Sequence, residues 1–118
     1  MFFRLIKSFD GARDYYGEIP QYTEAGYSKN TEYYQIETDE ERDLLLCDFM
    51  NPINDLCGTL LDYGDVDWFS AQNCVKLKEW LDDRMQQPCD ERLRKLYSIL
   101  RGYASKAIEL NTGVVVEL

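Results

Sequence analysis

The chain has 118 residues with 13 basic and 22 acidic side chains, a net charge of −9, and no histidine. That length suits one domain spanning 1–118, able to bury roughly two-thirds of its unfolded surface without staples. Hydrophobic content of 45% and aromatic content of 14% fit a globular chain and exclude a disordered one. No apolar run approaches the ~20 residues that cross a bilayer. The opening MFFRLIKSFDGARD carries Arg4, Lys7 and Asp10 and lacks the apolar core of a signal peptide, so the chain reads as cytoplasmic.

Residues 1–9 are β-prone, with Phe3, Leu5 and Lys7 on one face and Phe2, Arg4 and Ile6 on the other. Residues 10–36 lack helical period, are broken by Gly11, Gly17, Pro20 and Gly26, and hold six of the nine tyrosines. So many rings mean either an ordered loop laid over the core or a set of contact groups, with room for a short strand near 32–36. Thr38 and Glu41 form a capping box, and Asp39, Glu40 and Glu41 suit the dipole of the helix that starts there. Asn51-Pro52 reads as an interruption that caps a second helix. Ile53, Leu56, Cys57, Leu60 and Leu61 then predict a buried stripe, with Gly64 as the stop.

The next helix is predicted to start between Asp67 and Ser70, with Cys74, Leu77, Trp80 or Leu81, and Met85 on one face. Gln86-Gln87-Pro88 breaks it, and Pro88 suits the start of the following helix, which carries Leu93, Leu96, Tyr97, Leu100, Tyr103, Ala104, Ala107 and Ile108. Asn111-Thr112-Gly113 ends that helix, and VVVEL reads as a strand. The expected fold class is mainly α within α+β: a helical domain with a C-terminal antiparallel helix hairpin and a small sheet that can pair the two ends of the chain.

The charge is localised. Residues 37–67 hold ten acids and one base, while the rest of the chain holds twelve of each, so this stretch carries the whole imbalance. Such a field repels nucleic acid and anionic membranes and attracts a basic protein. Without histidine, Ser-His-Asp and Cys-His arrangements are excluded, and no phosphate-binding glycine loop occurs. The four cysteines, Cys47, Cys57, Cys74 and Cys89, have no C-x-x-C spacing. Cys47, Cys57 and Cys74 are expected in the core as free thiols, and Cys89 near an element boundary. The stretch 62–69, DYGDVDWF, fails the calcium-loop pattern because its glycine and its twelfth position are wrong. No metal, cofactor or small-molecule substrate is expected, and no catalytic residue is assigned. An enzyme acting through carboxylates or Cys89 remains as a third reading.

DYGDVDWF is read as a link between two helices. In one reading Trp68 and Phe69 are buried helix-start anchors and the aspartates are solvated. In the other it is a protein-binding edge, with aromatic anchors and carboxylates facing a basic partner. The candidate contact residues are Glu37, Asp39, Glu40, Asp62, Asp65, Asp67, Trp68, Tyr33 and Tyr34.

From Asp65 to Leu118, just under half the chain, DVDWFSAQNCVKLKEWL followed by LRKLYSILRGYASKAIELNTGVVVEL resembles small bacterial immunity proteins of polymorphic or contact-dependent toxin systems. The resemblance implies a small, acidic, non-catalytic inhibitor of a cognate toxin, with basic nucleases among the targets. A phage-type inhibitor or an assembly or regulatory subunit is the alternative that shares the same surface.

Overall fold

A four-stranded antiparallel sheet brings the two ends of the chain together. In the computed structural model, which describes all 118 residues, the elements in chain order are β1 (Phe2–Ile6), β2 (Asp14–Tyr16), β3 (Ile19–Gln21), α1 (Glu24–Asn30), β4 (Thr31–Gln35), α2 (Asp39–Cys57), β5 (Val66–Ser70), α3 (Ala71–Met85), α4 (Glu91–Leu110) and β6 (Gly113–Glu117). The main sheet runs β4-β1-β6-β5, and β2 with β3 forms a separate hairpin. About half of the chain is helical, so the fold is α+β with helices dominant.

Strand alternation assigns the two faces. Phe3 and Leu5 of β1, Val114 and Val116 of β6, and Phe69 of β5 point toward α2, α3 and α4 and join one core. The helices meet them with Leu45, Phe49 and Ile53 from α2, Leu77 and Leu81 from α3, and Leu93, Leu96, Tyr97 and Leu100 from α4. Complete burial of one such side chain stabilises by about 1.5–3 kcal/mol, so this face holds most of the fold together. The opposite face carries Phe2, Arg4 and Ile6 as the alternation predicts. Ile6 packs there with Tyr22 and Val115, under partial cover from Ile19, Tyr27, Val66 and Trp68.

Three helices are tied by one carboxylate. Asp48 of α2 accepts two bonds from Arg84 of α3, at 2.9 and 3.1 Å, and one from the Tyr97 hydroxyl of α4 at 2.6 Å. Burial alone would raise the Asp48 pKa, but these donors outweigh it and hold the carboxyl below its ordinary value. Burial and the adjacent carboxylate push the Tyr97 hydroxyl pKa upward. Around the bond, Phe49, Trp80 and Tyr97 contact one another with centroids 5.6–5.9 Å apart.

Several expectations need correction. Proline does not interrupt α2, which runs unbroken through Pro52 to Cys57. Pro52 lies on the exposed side, while Phe49 and Ile53 hold the buried side on either flank of it. Gly58, not Gly64, ends the helix; it adopts φ 68°, a left-handed conformation that glycine reaches without strain. The stripe expected beyond Ile53 therefore breaks up: Leu61 is buried, but Leu56 and Leu60 are 41% and 80% exposed. Residues 66–70 form a strand and not a helix start, although Ser70 caps α3 as foreseen, accepting from the Asn73 N–H at 3.2 Å. Pro88 lies outside α4, whose cap is Asp90. Cys74 is buried as expected and Cys57 and Cys89 are half-buried, but Cys47 is exposed. It lies two residues past Leu45, near the far side of a helix that buries Arg42, Leu45, Phe49 and Ile53.

Residues 10–36 are ordered. Gly17-Glu18 turns the β2–β3 hairpin. Thr23 caps α1 by accepting from the Gly26 N–H at 3.1 Å, and β4 follows as the strand expected near 32–36. The tyrosines divide between roles: Tyr22 is buried, Tyr27 and Tyr34 are half-buried, and Tyr15, Tyr16 and Tyr33 are exposed. Burial lifts the Tyr22 pKa to about 12, and its hydroxyl donates to the Ser8 carbonyl at 2.6 Å.

Candidate functional site: the acidic end of the sheet

The antiparallel register lines up Gln35, Phe2, Glu117 and Val66 in one row across the end of the sheet. β4 leaves the sheet at this row and runs through Glu37 into Asp39 and Glu40, the first turn of α2. β5 enters at the same row from Asp62 and Asp65. Backbone bonds from Ile36 N–H to Met1 O (3.0 Å) and from Leu118 N–H to Asp65 O (3.3 Å) fasten both crossings. The two ends of the acidic block, far apart in sequence, are thereby brought to one end of the molecule.

Arg42, the one base in the block, holds them together. Its guanidinium lies 4.0 Å from the Tyr63 ring centroid and donates to the Tyr63 hydroxyl, which bridges α2 to the following turn. It also lies 3.6 Å from Asp39 and 3.4 Å from Asp43. Arg42 is 8% exposed, so its charge is spent within the fold while the carboxylates around it remain in water. Arg92 of α4 reaches the same region and pairs with Asp90 at 3.1 Å and Glu40 at 3.2 Å.

The turn itself is fixed by Asn54. Its side-chain carbonyl accepts from Leu61 N–H and the Thr59 hydroxyl, both at 2.8 Å, and its amide donates to Leu61 O at 3.0 Å. Asp62 accepts from Tyr63 N–H at 2.7 Å. Asp62 and Asp65 are exposed, as are Glu37, Asp39 and Glu40.

Asp67 differs from the other acids. It belongs to β5, not to a loop, and register places it on the helix-facing side beside Val116. It is half-buried and accepts from Leu60 N–H at 3.2 Å. Burial raises its pKa, the Leu60 bond opposes this in part, and Asp65 adds to the rise.

The aromatic candidates do not form one patch. Tyr34 faces the helices, stacking on Phe3 at 6.3 Å with the Lys95 ammonium 5.9 Å from its ring. Tyr33 and Trp68 share the opposite face, in the row Tyr33–Arg4–Val115–Trp68, which spans roughly 14 Å at ordinary strand spacing. Trp68 lies across Gly113 and 6.2 Å from Phe9, and is half-buried. Tyr33 packs on Phe2 at 5.2 Å and stays exposed.

Chemically this end is a field of negative charge: five exposed carboxylates lie near two arginines already engaged with acids. Sequence reasoning missed Arg42 and Tyr63 as the clasp. Its signal was a lone base inside an acidic run with a tyrosine in the next turn, which has meaning only once the turn is known to fold back. No family model, curated protein or solved structure matches this chain.

Proposed function

We propose that this chain is a non-catalytic binding protein that captures a basic protein partner on its acidic end, acting as an immunity protein that neutralises a cognate bacterial toxin. One observation carries the reading: Glu37, Asp39, Glu40, Asp62 and Asp65 are all exposed on segments that flank one end of the sheet, while Arg42 is buried among its own carboxylates and Arg92 is paired with Asp90 and Glu40. Such a surface speeds encounter with a basic partner and selects against acidic ones. Tyr63, 61% exposed beside Arg42, offers an aromatic contact at its centre.

The test begins with a pull-down from the native cell under low-salt and high-salt washes. The expected catch is one stoichiometric basic protein, toxic when expressed alone and tolerated when this chain is co-expressed. Association of the pair is then followed by stopped flow. Asp62→Lys with Asp65→Lys should slow it by about tenfold at low salt, with the difference shrinking as salt rises. An unchanged on-rate would remove these acids from the interface, and a partner that is harmless alone would remove the immunity role.

A further inference from the structure

The sheet face opposite the helices is only partly covered. Between the β2–β3 hairpin and strands β1, β6 and β5 lies a groove of about 490 Å³, within the size range of small-molecule sites. Phe2, Tyr15, Tyr16, Tyr27 and Val115 line it, with Arg4 on its floor. The Arg4 guanidinium lies 4.5 Å from the Tyr27 ring centroid, 5.1 Å from Tyr33 and 5.2 Å from Phe2.

In a chain with 22 acidic side chains, Arg42, Arg84, Arg92 and Arg101 each pair with an acid; Arg4, like Arg13 and Arg94, pairs with none, and Arg4 alone of these lines the groove. Its Nε is buried and has no hydrogen-bond partner. The two carboxylates on the groove's rim are turned to other donors: Glu117 lies 4.0 Å from the Met1 amino group, and Asp14 accepts from Tyr15 N–H at 2.8 Å.

We propose that this groove binds a small planar monocarboxylate, an aromatic acid whose carboxylate is held by Arg4 and whose ring lies against the tyrosine and phenylalanine lining. Guanidinium matches a carboxylate in a two-bond fork, and the rings supply flat apolar area for a flat ligand. The rim carboxylates restrict the site to one negative charge, because a dianion adds repulsion that one arginine does not offset. This ligand is separate from the basic protein partner and lies outside the expectation that no small molecule is involved.

Calorimetric titration with 2-naphthoate tests it, with neutral 2-naphthalenemethanol and dianionic 2-naphthyl phosphate as comparisons. The naphthoate should bind at least about tenfold more tightly than either, as expected for one charge-assisted pair. Arg4→Met should abolish that preference, and Arg4→Lys should restore part of it, since an ammonium supplies the charge without the fork. Tyr16→Ala, at an exposed hairpin position that leaves the main sheet intact, should weaken naphthoate several-fold with no change in melting temperature. No naphthoate binding at millimolar concentration, equal binding of the alcohol, or an undiminished preference in folded Arg4→Met overturns the assignment.

Discussion

Gly113 is where the packing of β5 on β6 can be tested most sharply. A Cβ built on Gly113 would sit 2.6 Å from the Phe69 carbonyl oxygen and would overlap the outer edge of the Trp68 ring. The ring can swing aside, but the carbonyl belongs to the neighbouring strand and cannot. Overpacking of this kind costs about 1–3 kcal/mol. At about 2.1 cal/mol/K per residue, a chain of 118 residues has an unfolding entropy of roughly 0.25 kcal/mol/K. Gly113→Ala should therefore lower the melting temperature by about 4–12 °C. The chain has two tryptophans, so the experiment is run in a Trp80→Phe background, where all tryptophan emission comes from Trp68. Displacing the ring from the strand exposes it, and its emission should shift to the red. Trp68→Val would relieve the ring overlap and recover part of the loss, but not the part due to the carbonyl. If Gly113→Ala melts within a degree of its parent and leaves the emission unchanged, the β5–β6 register placing Trp68 over Gly113 is wrong.

Asp48→Asn should cost about 2 kcal/mol at pH 7, the range for hydrogen bonds to a charged group, read from urea unfolding. The folded pKa of Asp48 is lowered, so its contribution is full above the ordinary 3.8 and is lost as pH falls through the lower folded value; the gap between variant and parent should close there. Asp67→Asn should act in the opposite sense. The folded pKa of Asp67 is raised, so its stabilisation is full below 3.8 and is lost as pH rises through the folded value, and the amide should leave the protein at least as stable at pH 7 with a flatter pH profile. Asn54→Ala removes three bonds to the turn after α2 and should cost about 1–3 kcal/mol. Hydrogen exchange should then show residues 58–65 opening more readily than α4.

What could be read from the chain and what could not separate along a physical line. The Thr38 cap, the α4 stripe from Leu93 to Ile108, with Tyr103 and Ile108 half-buried at its margin, and the apolar VVV of β6 are local signals, and each appears where expected. The failures involve signals decided at a distance. Pro52 argues for a break, but one lost backbone bond on an exposed face is outweighed by the burial of Phe49 and Ile53 on the other. DVDWF reads as easily as a helix start as a strand, and the choice is made by β6, which offers Val114 and Val116 as neighbours in the core. The β2–β3 hairpin and α1 are too short to show a period at all. The acidic block was visible at once as composition. That Asp39 and Asp62 face the same region depends on β4 and β5 presenting the same end of an antiparallel sheet, which no local spacing encodes.

The acids also differ in what the fold asks of them, and this bears on function. Asp39, Glu40 and Glu41 lie in the first turn of α2, where the helix dipole favours negative charge. Asp43 and Asp39 help to neutralise Arg42, and Asp48 joins three helices. Those charges have structural work whatever the protein does. Glu37 and Asp65 make no ion pair and are exposed; Glu37 acts on the nearby Lys95 ammonium, whose pKa it helps to raise, while Asp65 stands close to Asp67. Asp62 has only a bond to its neighbour's N–H. Self-repulsion of like charges disfavours the compact state. Carboxylates held in that position, at the place where both ends of the acidic block meet, add little to the stability of the chain that carries them, and on the function proposed above they are the ones a basic partner would meet first.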